Sequence, residues 1–133
     1  MTRKGYIDIN ANGAYLIGDH LIQPGAFGIR GLNHHAIYIG AGQIIHYSNN
    51  PGDHKLNGVI RKDTVGYLER SASKVGGVVK VRVYTNPTRA PQTIKNVCLK
   101  RLHEKKYDLF FNNCGHFAKW CVAGNVSNKQ RNI

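Results

Sequence analysis

Acidic residues are what this chain has least of: 7 Asp and Glu stand against 19 Lys and Arg in 133 residues, a formal net charge of +12. That imbalance predicts attraction to polyanions, whether nucleic acid, anionic lipid or an acidic protein partner, without choosing among them. The cations are scattered (Arg3, Lys4, Arg61, Lys62, Lys80, Arg82, Lys100, Arg101, Lys105, Lys106). They are not interleaved with aromatics as a base-stacking platform requires, so nucleic-acid binding is the lesser expectation. Long apolar runs are also missing. No stretch approaches the roughly 20 apolar residues that span a bilayer, and the best short run, Val78 to Val83, is broken by Lys80 and Arg82. The basic residues near the N-terminus are not followed by an apolar run of signal-peptide length. A cytoplasmic location is expected, with peripheral membrane association or a signal-independent route of delivery as its variants.

Cysteine is scarce and odd in number: Cys98, Cys114 and Cys121. The last two lie seven apart on an expected helix, about 10 Å along its axis, too far to bridge. The chain therefore reads as reduced, without a disulfide framework, and as one domain over 1–133, long enough to bury roughly two thirds of its unfolded surface. Repeats and low-complexity segments are absent.

What is present alternates between strand and helix signals. Gly18-Asp19-His20-Leu21-Ile22 predicts a turn feeding a short strand, and Pro24 to Gly28 a loop. His34 to Ile39 and Ile44 to Tyr47 flank Gly40-Ala41-Gly42-Gln43, a hairpin signal. Asn49 to Asn57 carries turn chemistry throughout, and a strand is expected at Val59 to Arg61. Val79, Val81 and Val83 alternate with polar or large neighbours, the period-two pattern of a strand with one buried face. Pro91 opens a helix in which Ile94, Val97, Cys98, Arg101 and Leu102 recur at three- and four-residue spacing. A second helix is expected from Cys114 to Ala123, capped by Asn112 or Asn113 and stopped by Gly124. The polar tail 125–133 is expected to fray.

The chemistry concentrates in Asn112-Asn113-Cys114-Gly115-His116-Phe117, read with the doublet His34-His35 and with His46. Cys114 at the first turn of a helix meets unsatisfied N–H groups and the helix dipole, which stabilise a thiolate and lower its pKa from a free value of about 8.5. The same amides can hold an oxyanion. Cys98 and Cys121 fall on apolar stripes and read as buried structural thiols. Parity separates the histidines: His34, Ala36 and Tyr38 share one face of the strand, and His35, Ile37 and Ile39 the other. An odd number of loop residues puts His46 on the face of His34, whereas two loop residues put it with His35. The isoleucines on the His35 face favour a core role for His35, so His34 is the expected base and His46 the group that orients it. Tyr38 and Asn113 are candidates for lining the pocket or helping an oxyanion. His116 is expected to cap or pack, and His20, His54 and His103 to lie at the surface or at strand ends. Zinc-ligand spacing is not met, and neither a metal nor another cofactor is expected.

Together, His34-His35-Ala36-Ile37-Tyr38-Ile39-Gly40, Ile44-Ile45-His46-Tyr47 and Asn113-Cys114-Gly115-His116-Phe117-Ala118 resemble the H-box and NC motif of the lecithin:retinol acyltransferase (LRAT) family. Gly18 to Ile22 resembles that family's first strand, so the resemblance covers about Gly18 to Gly124. It implies an α+β, circularly permuted papain-like fold in which an antiparallel sheet packs against helices. It also implies Cys114 as nucleophile, His34 as base and His46 as third member, with His46 on the face of His34. The implied activity is that of a phospholipase A or acyltransferase working through a cysteine thioester on glycerophospholipid esters, at an anionic membrane surface. Two departures stand out: Gly115 occupies a position that is often acidic, and the C-terminal anchor of animal members has no counterpart here, which points to a bacterial or viral member. A cysteine peptidase or amidase of related fold, and a non-catalytic module binding RNA or protein, are the alternative expectations.

Overall fold

Short β-rich runs separated by turn residues build the sheet at the centre of this molecule, as their period-two patterns require. The computed structural model describes residues 5–26, 31–48, 58–106 and 113–124. The expected loop over Asn49 to Asn57, residues Phe27 and Gly28 of the preceding loop, His54, Asn112 and the tail 125–133 lie outside the described residues. Six strands, β1 (Tyr6–Asn10), β2 (His20–Pro24), β3 (Asn33–Gly40), β4 (Gln43–Ser48), β5 (Val59–Thr64) and β6 (Lys80–Tyr84), form one sheet in the order β1-β6-β2-β3-β4-β5. Every pairing is antiparallel. Three helices, α1 (Val65–Ser73), α2 (Pro91–Lys100) and α3 (Cys114–Ala123), complete an α+β architecture.

Alternation along the strands divides the apolar residues into two layers. On one face Ile37, Ile39, Ile45, Tyr47 and Ile60 pack against Ile94 and Cys98 of α2 and Phe117, Ala118, Cys121 and Val122 of α3. On the other, Leu21, Ala36, Ile44 and Val79 pack against Leu68 and Ala72 of α1. Each half of the His34-His35 doublet therefore belongs to a different layer.

The β3–β4 hairpin resolves the parity question through a bulge. Its turn holds two residues, Ala41 and Gly42, at φ 53° and 72°, the left-handed pair of a tight hairpin turn. A register shift between Tyr38 and Gly40 inserts one further residue, so that Tyr38 faces Ile44 and Ile37 faces Ile45. Five residues thus separate Tyr38 from Ile44, an odd number, and His46 falls on the face of His34 despite the two-residue turn.

Two elements have no counterpart in the expectations above. Edge strand β1 pairs Tyr6 with Tyr84 and Asp8 with Arg82, and it is held by Arg82 donating from Nε and Nη2 to the two Asp8 oxygens at 2.8 and 2.9 Å. Helix α1 buries only Leu68 and Ala72. One i, i+4 pair is too sparse a stripe to announce a helix.

Candidate active site

The site begins with the capping of α3. Asn113 is extended (φ −106°, ψ −173°) and its side chain accepts from the His116 N–H at 3.0 Å, while His116 Nδ1 accepts from the Asn113 N–H at 3.4 Å. This is a capping box with histidine in the place usually held by Glu or Gln. Gly124 ends the helix at φ 66°, its N–H donating to the Trp120 carbonyl at 2.8 Å. Between these ends, Phe117, Ala118, Cys121 and Val122 seat α3 on the sheet, and that seating brings Cys114, half-buried, against β3.

Burial raises the Cys114 thiol above its ordinary range, outweighing the main-chain N–H groups of His35, Gly115 and Cys114 itself, which act the other way. The depressed thiol expected from the helix start is therefore not realised. Loss of hydration exceeds the pull of the amides, and Cys114 is a protonated thiol at neutral pH.

The residues beside that thiol belong to the His35 face. A side chain placed on Gly115 would meet His35 Cδ2 and Nε2, each at 3.4 Å. His35 Nδ1 lies 2.8 Å from His20 Nε2, and His20 Nδ1 lies 2.8 Å from Tyr84 Oη. His20 opens β2, at a strand end as expected, but it is buried there and not at the surface, in a line of rings crossing β3, β2 and β6. Burial, with Arg82 adding a like charge, lowers His35 to about 4. Burial lowers His20 well below its usual range.

His34 and His46 do meet, at 2.7 Å between Nε2 and Nδ1. His46, fully buried, passes the chain on to Asp63 Oδ2 at 2.6 Å from Nε2, and this bond holds the Asp63 carboxyl below its usual range. The arrangement has ring, ring and carboxylate in series. It lies on the α1 layer, with the Tyr67 ring 5.7 Å from that of His46. Among the described residues no hydrogen bond joins the side chain of His34, His35 or His46 to Cys114. Alternation places His34 with Ala36 on the layer of α1, while α3 covers the layer of Ile37 and Ile45.

Tyr38 is also engaged elsewhere. Its hydroxyl accepts from the Gly42 N–H at 2.9 Å, closing its own hairpin, and its ring packs on Tyr15 with centroids 5.4 Å apart. Asn113 serves as the helix cap. Cys98 and Cys121 are fully buried, as their stripes predict. Sequence reasoning missed His20, Tyr84 and Asp63. Parity counted across β2, β3 and β6 is the signal that could have found the first two, and parity across β4 and β5 the third.

An open depression of about 350 Å³, of mixed polar and apolar lining, lies on the α1 side against Asn10, Tyr15, Glu69, Ser73 and Val79 among others, and includes neither Cys114 nor any histidine. Among the described residues, no group of three or more His, Cys, Asp or Glu is placed to hold a metal, and no helix is long and apolar enough to cross a membrane. The sequence model of the family described as lecithin retinol acyltransferase matches residues 14–127, most of the 133, and the chain belongs to this family, whose activity is in general of the acyltransferase or phospholipase type.

Proposed function

We propose that the protein is a thiol-dependent phospholipase A or acyltransferase acting on glycerophospholipid esters, with Cys114 as nucleophile and a β3 histidine as its base. The observation that carries this reading is the placement of Cys114 at the capped first turn of α3, with an imidazole against the same turn. The thiol gives its proton to the imidazole as sulfur attacks the ester carbonyl. The oxyanion is held by main-chain N–H groups at the start of α3; those of His116 and Phe117 are taken by Asn113, which leaves those of Cys114 and Gly115. Collapse breaks the ester C–O bond, the lysolipid oxygen leaves with the imidazole's proton, and Cys114 holds the acyl group as a thioester. Water then gives hydrolysis, and an amine or alcohol gives transfer. A protonated thiol beside a neutral imidazole means that the proton moves during attack, instead of resting beforehand in an ion pair.

Intact mass spectrometry after incubation with short-chain phosphatidylcholine or phosphatidylethanolamine tests the proposal. Wild type should gain an acyl-sized mass that hydroxylamine removes. Cys114→Ala should gain none while keeping its melting temperature. Absence of both adduct and lysolipid would sink the lipid reading and direct the search to peptide substrates.

A further inference from the structure

The line of rings that begins at His34 ends on a carboxylate, whereas the line that begins at His35 ends on a phenol. We propose that Asp63 is a positioning residue for the thiol chemistry: through His46 it fixes the His34 ring with its lone pair on Nδ1, and it offsets the charge that ring acquires as a base. The assignment rests on the reading above, with His34 as the β3 histidine that takes the proton. It adds a residue that acts only through His46.

Each bond in the line fixes the next. An ionised carboxylate only accepts, so Asp63 Oδ2, 2.6 Å from His46 Nε2, requires the proton on that nitrogen. The lone pair of a neutral His46 is then on Nδ1, and His34 Nε2, 2.7 Å away, donates to it. His34 thereby keeps its own lone pair on Nδ1, which has no hydrogen-bond partner among the described residues. Without the carboxylate the order could reverse: His46 Nδ1 would donate to His34 Nε2, the His34 proton would move to Nδ1, and the base would be lost. The hydrogen bond from His46 holds Asp63 ionised, and His46 itself is fully buried, so water does not compete for either of its nitrogens.

The His35 main-chain N–H, part of the peptide that joins it to His34, lies close enough to the Cys114 sulfur to oppose the effect of burial there. The thiol thus stands at the backbone of the doublet. In acylation the Sγ–H proton passes to His34 Nδ1 as the S–C bond forms, with the ester in place, the state in which catalytic hydrogen bonds close. His34 is then an imidazolium, and its Nε2 proton can shift to His46 Nδ1, which puts the positive charge against Asp63. When the ester C–O bond breaks, that shift reverses and the His34 Nδ1 proton goes to the departing alkoxide. A charge on His35 would meet the opposite situation, because burial and the like charge of Arg82 both resist it. The titratable and charged groups facing the Asp63 line are His35 beside His34, Tyr67 of α1 against His46, and Arg61 beside Asp63 on β5.

Asp63→Asn and Asp63→Glu are to be compared with wild type in two measurements. One is the rate of Cys114 acylation by short-chain phosphatidylcholine across about pH 5 to 9. The other is nitrogen NMR of protein with isotope-labelled imidazoles, which reads the nitrogen that carries each proton, with signals assigned through His34→Gln and His46→Gln. Asp63→Asn should slow acylation by about 10-fold, less than the roughly 100-fold expected from losing the base itself. It should also move the acidic limb of the rate profile to lower pH, since His34 without the carboxylate is harder to protonate. Asp63→Glu should return the limb to its wild-type position. Wild type should show His34 and His46 each protonated on Nε2 alone. Asp63→Asn, whose amide can accept through oxygen or donate through nitrogen, should show mixed tautomers at both rings. An Asp63→Asn rate profile superposable on wild type would overturn the assignment, as would a His34 proton on Nδ1 in wild type. If Asp63→Asn fails to fold, the wild-type tautomers decide. The expected tautomers without any acylation of wild type would keep Asp63 as the residue that sets the His34 ring and would remove the lipid ester, so the two failures are told apart.

Discussion

Three imidazoles in this protein, buried His20 and half-buried His34 and His35, are held in their neutral form, and the cost of charging them gives a pH signature. His20, His34 and His35 all sit below their ordinary value of 6.5, chiefly through burial, with His35 lowered to about 4. As pH falls through about 6.5 the unfolded chain takes up protons at these rings that the folded chain refuses, so stability is full above that value and declines below it. For His35 alone the window runs from about 6.5 down to about 4, worth at most about 3 kcal/mol. Calorimetric melting between pH 7.5 and 4.5 should therefore show a steady fall in melting temperature, part of which disappears in His35→Gln. A flat profile would show that these rings are hydrated. The capped helix start that carries Asn113 and Cys114 was legible at this scale, because a cap residue, a small-residue turn and an apolar stripe sit within ten consecutive positions. The thiol's acidity was not legible, because it depends on how much water the folded sheet leaves around Cys114. Nor were His20 and Asp63, whose partners lie 15 and 17 residues away on other strands.

Elements depend on fewer contacts than their lengths suggest, and α3 shows this at both ends. Replacing Asn113 with Ala removes the acceptor for the His116 N–H and should cost about 1 kcal/mol, or roughly 4 °C in melting temperature for a domain of this size. It should also speed iodoacetamide capture of Cys114, because fraying of the first turn rehydrates a thiol that burial holds protonated, and unchanged melting would show that the His116 side of the capping box suffices. Gly25 offers a sharper case in the turn after β2. Its φ is +71°, and an added methyl would stand 2.5 Å from Val75 Cγ2, so Gly25→Ala should lower the denaturation midpoint by more than the cap variant does. Most elements could be read in advance, with Cys114–Ala123 and Pro91–Lys100 marked by their caps, proline and stripes. Helix α1 and strand β1 escaped because each presents little buried apolar surface of its own. They are fixed by the rest of the sheet, a tertiary effect that local pattern does not carry.

At the scale of the whole molecule, the net charge of +12 is a statement about encounters. Each Lys or Arg near an anionic bilayer contributes about 1 kcal/mol, and that attraction is screened within a Debye length of about 10 Å at 0.1 M salt. Co-sedimentation with phosphatidylserine-containing vesicles should therefore fall steeply between about 50 and 500 mM salt, and vesicles of phosphatidylcholine alone should retain little protein. Binding indifferent to both salt and headgroup charge would show that apolar contact governs docking. The two-layered sheet adds a different consequence. Residues 34 and 35 are the same amino acid on opposite sides, and the bulge between Tyr38 and Gly40 sets which partners each side meets. A one-residue slip of β3 against its neighbours would turn the strand over, exchanging the two histidines between layers while taking Ile37 and Ile39 out from under α3. The doublet therefore gives the strand no licence to slip: the buried isoleucines hold the register, and changes of loop length ahead of β3 are absorbed in the loop.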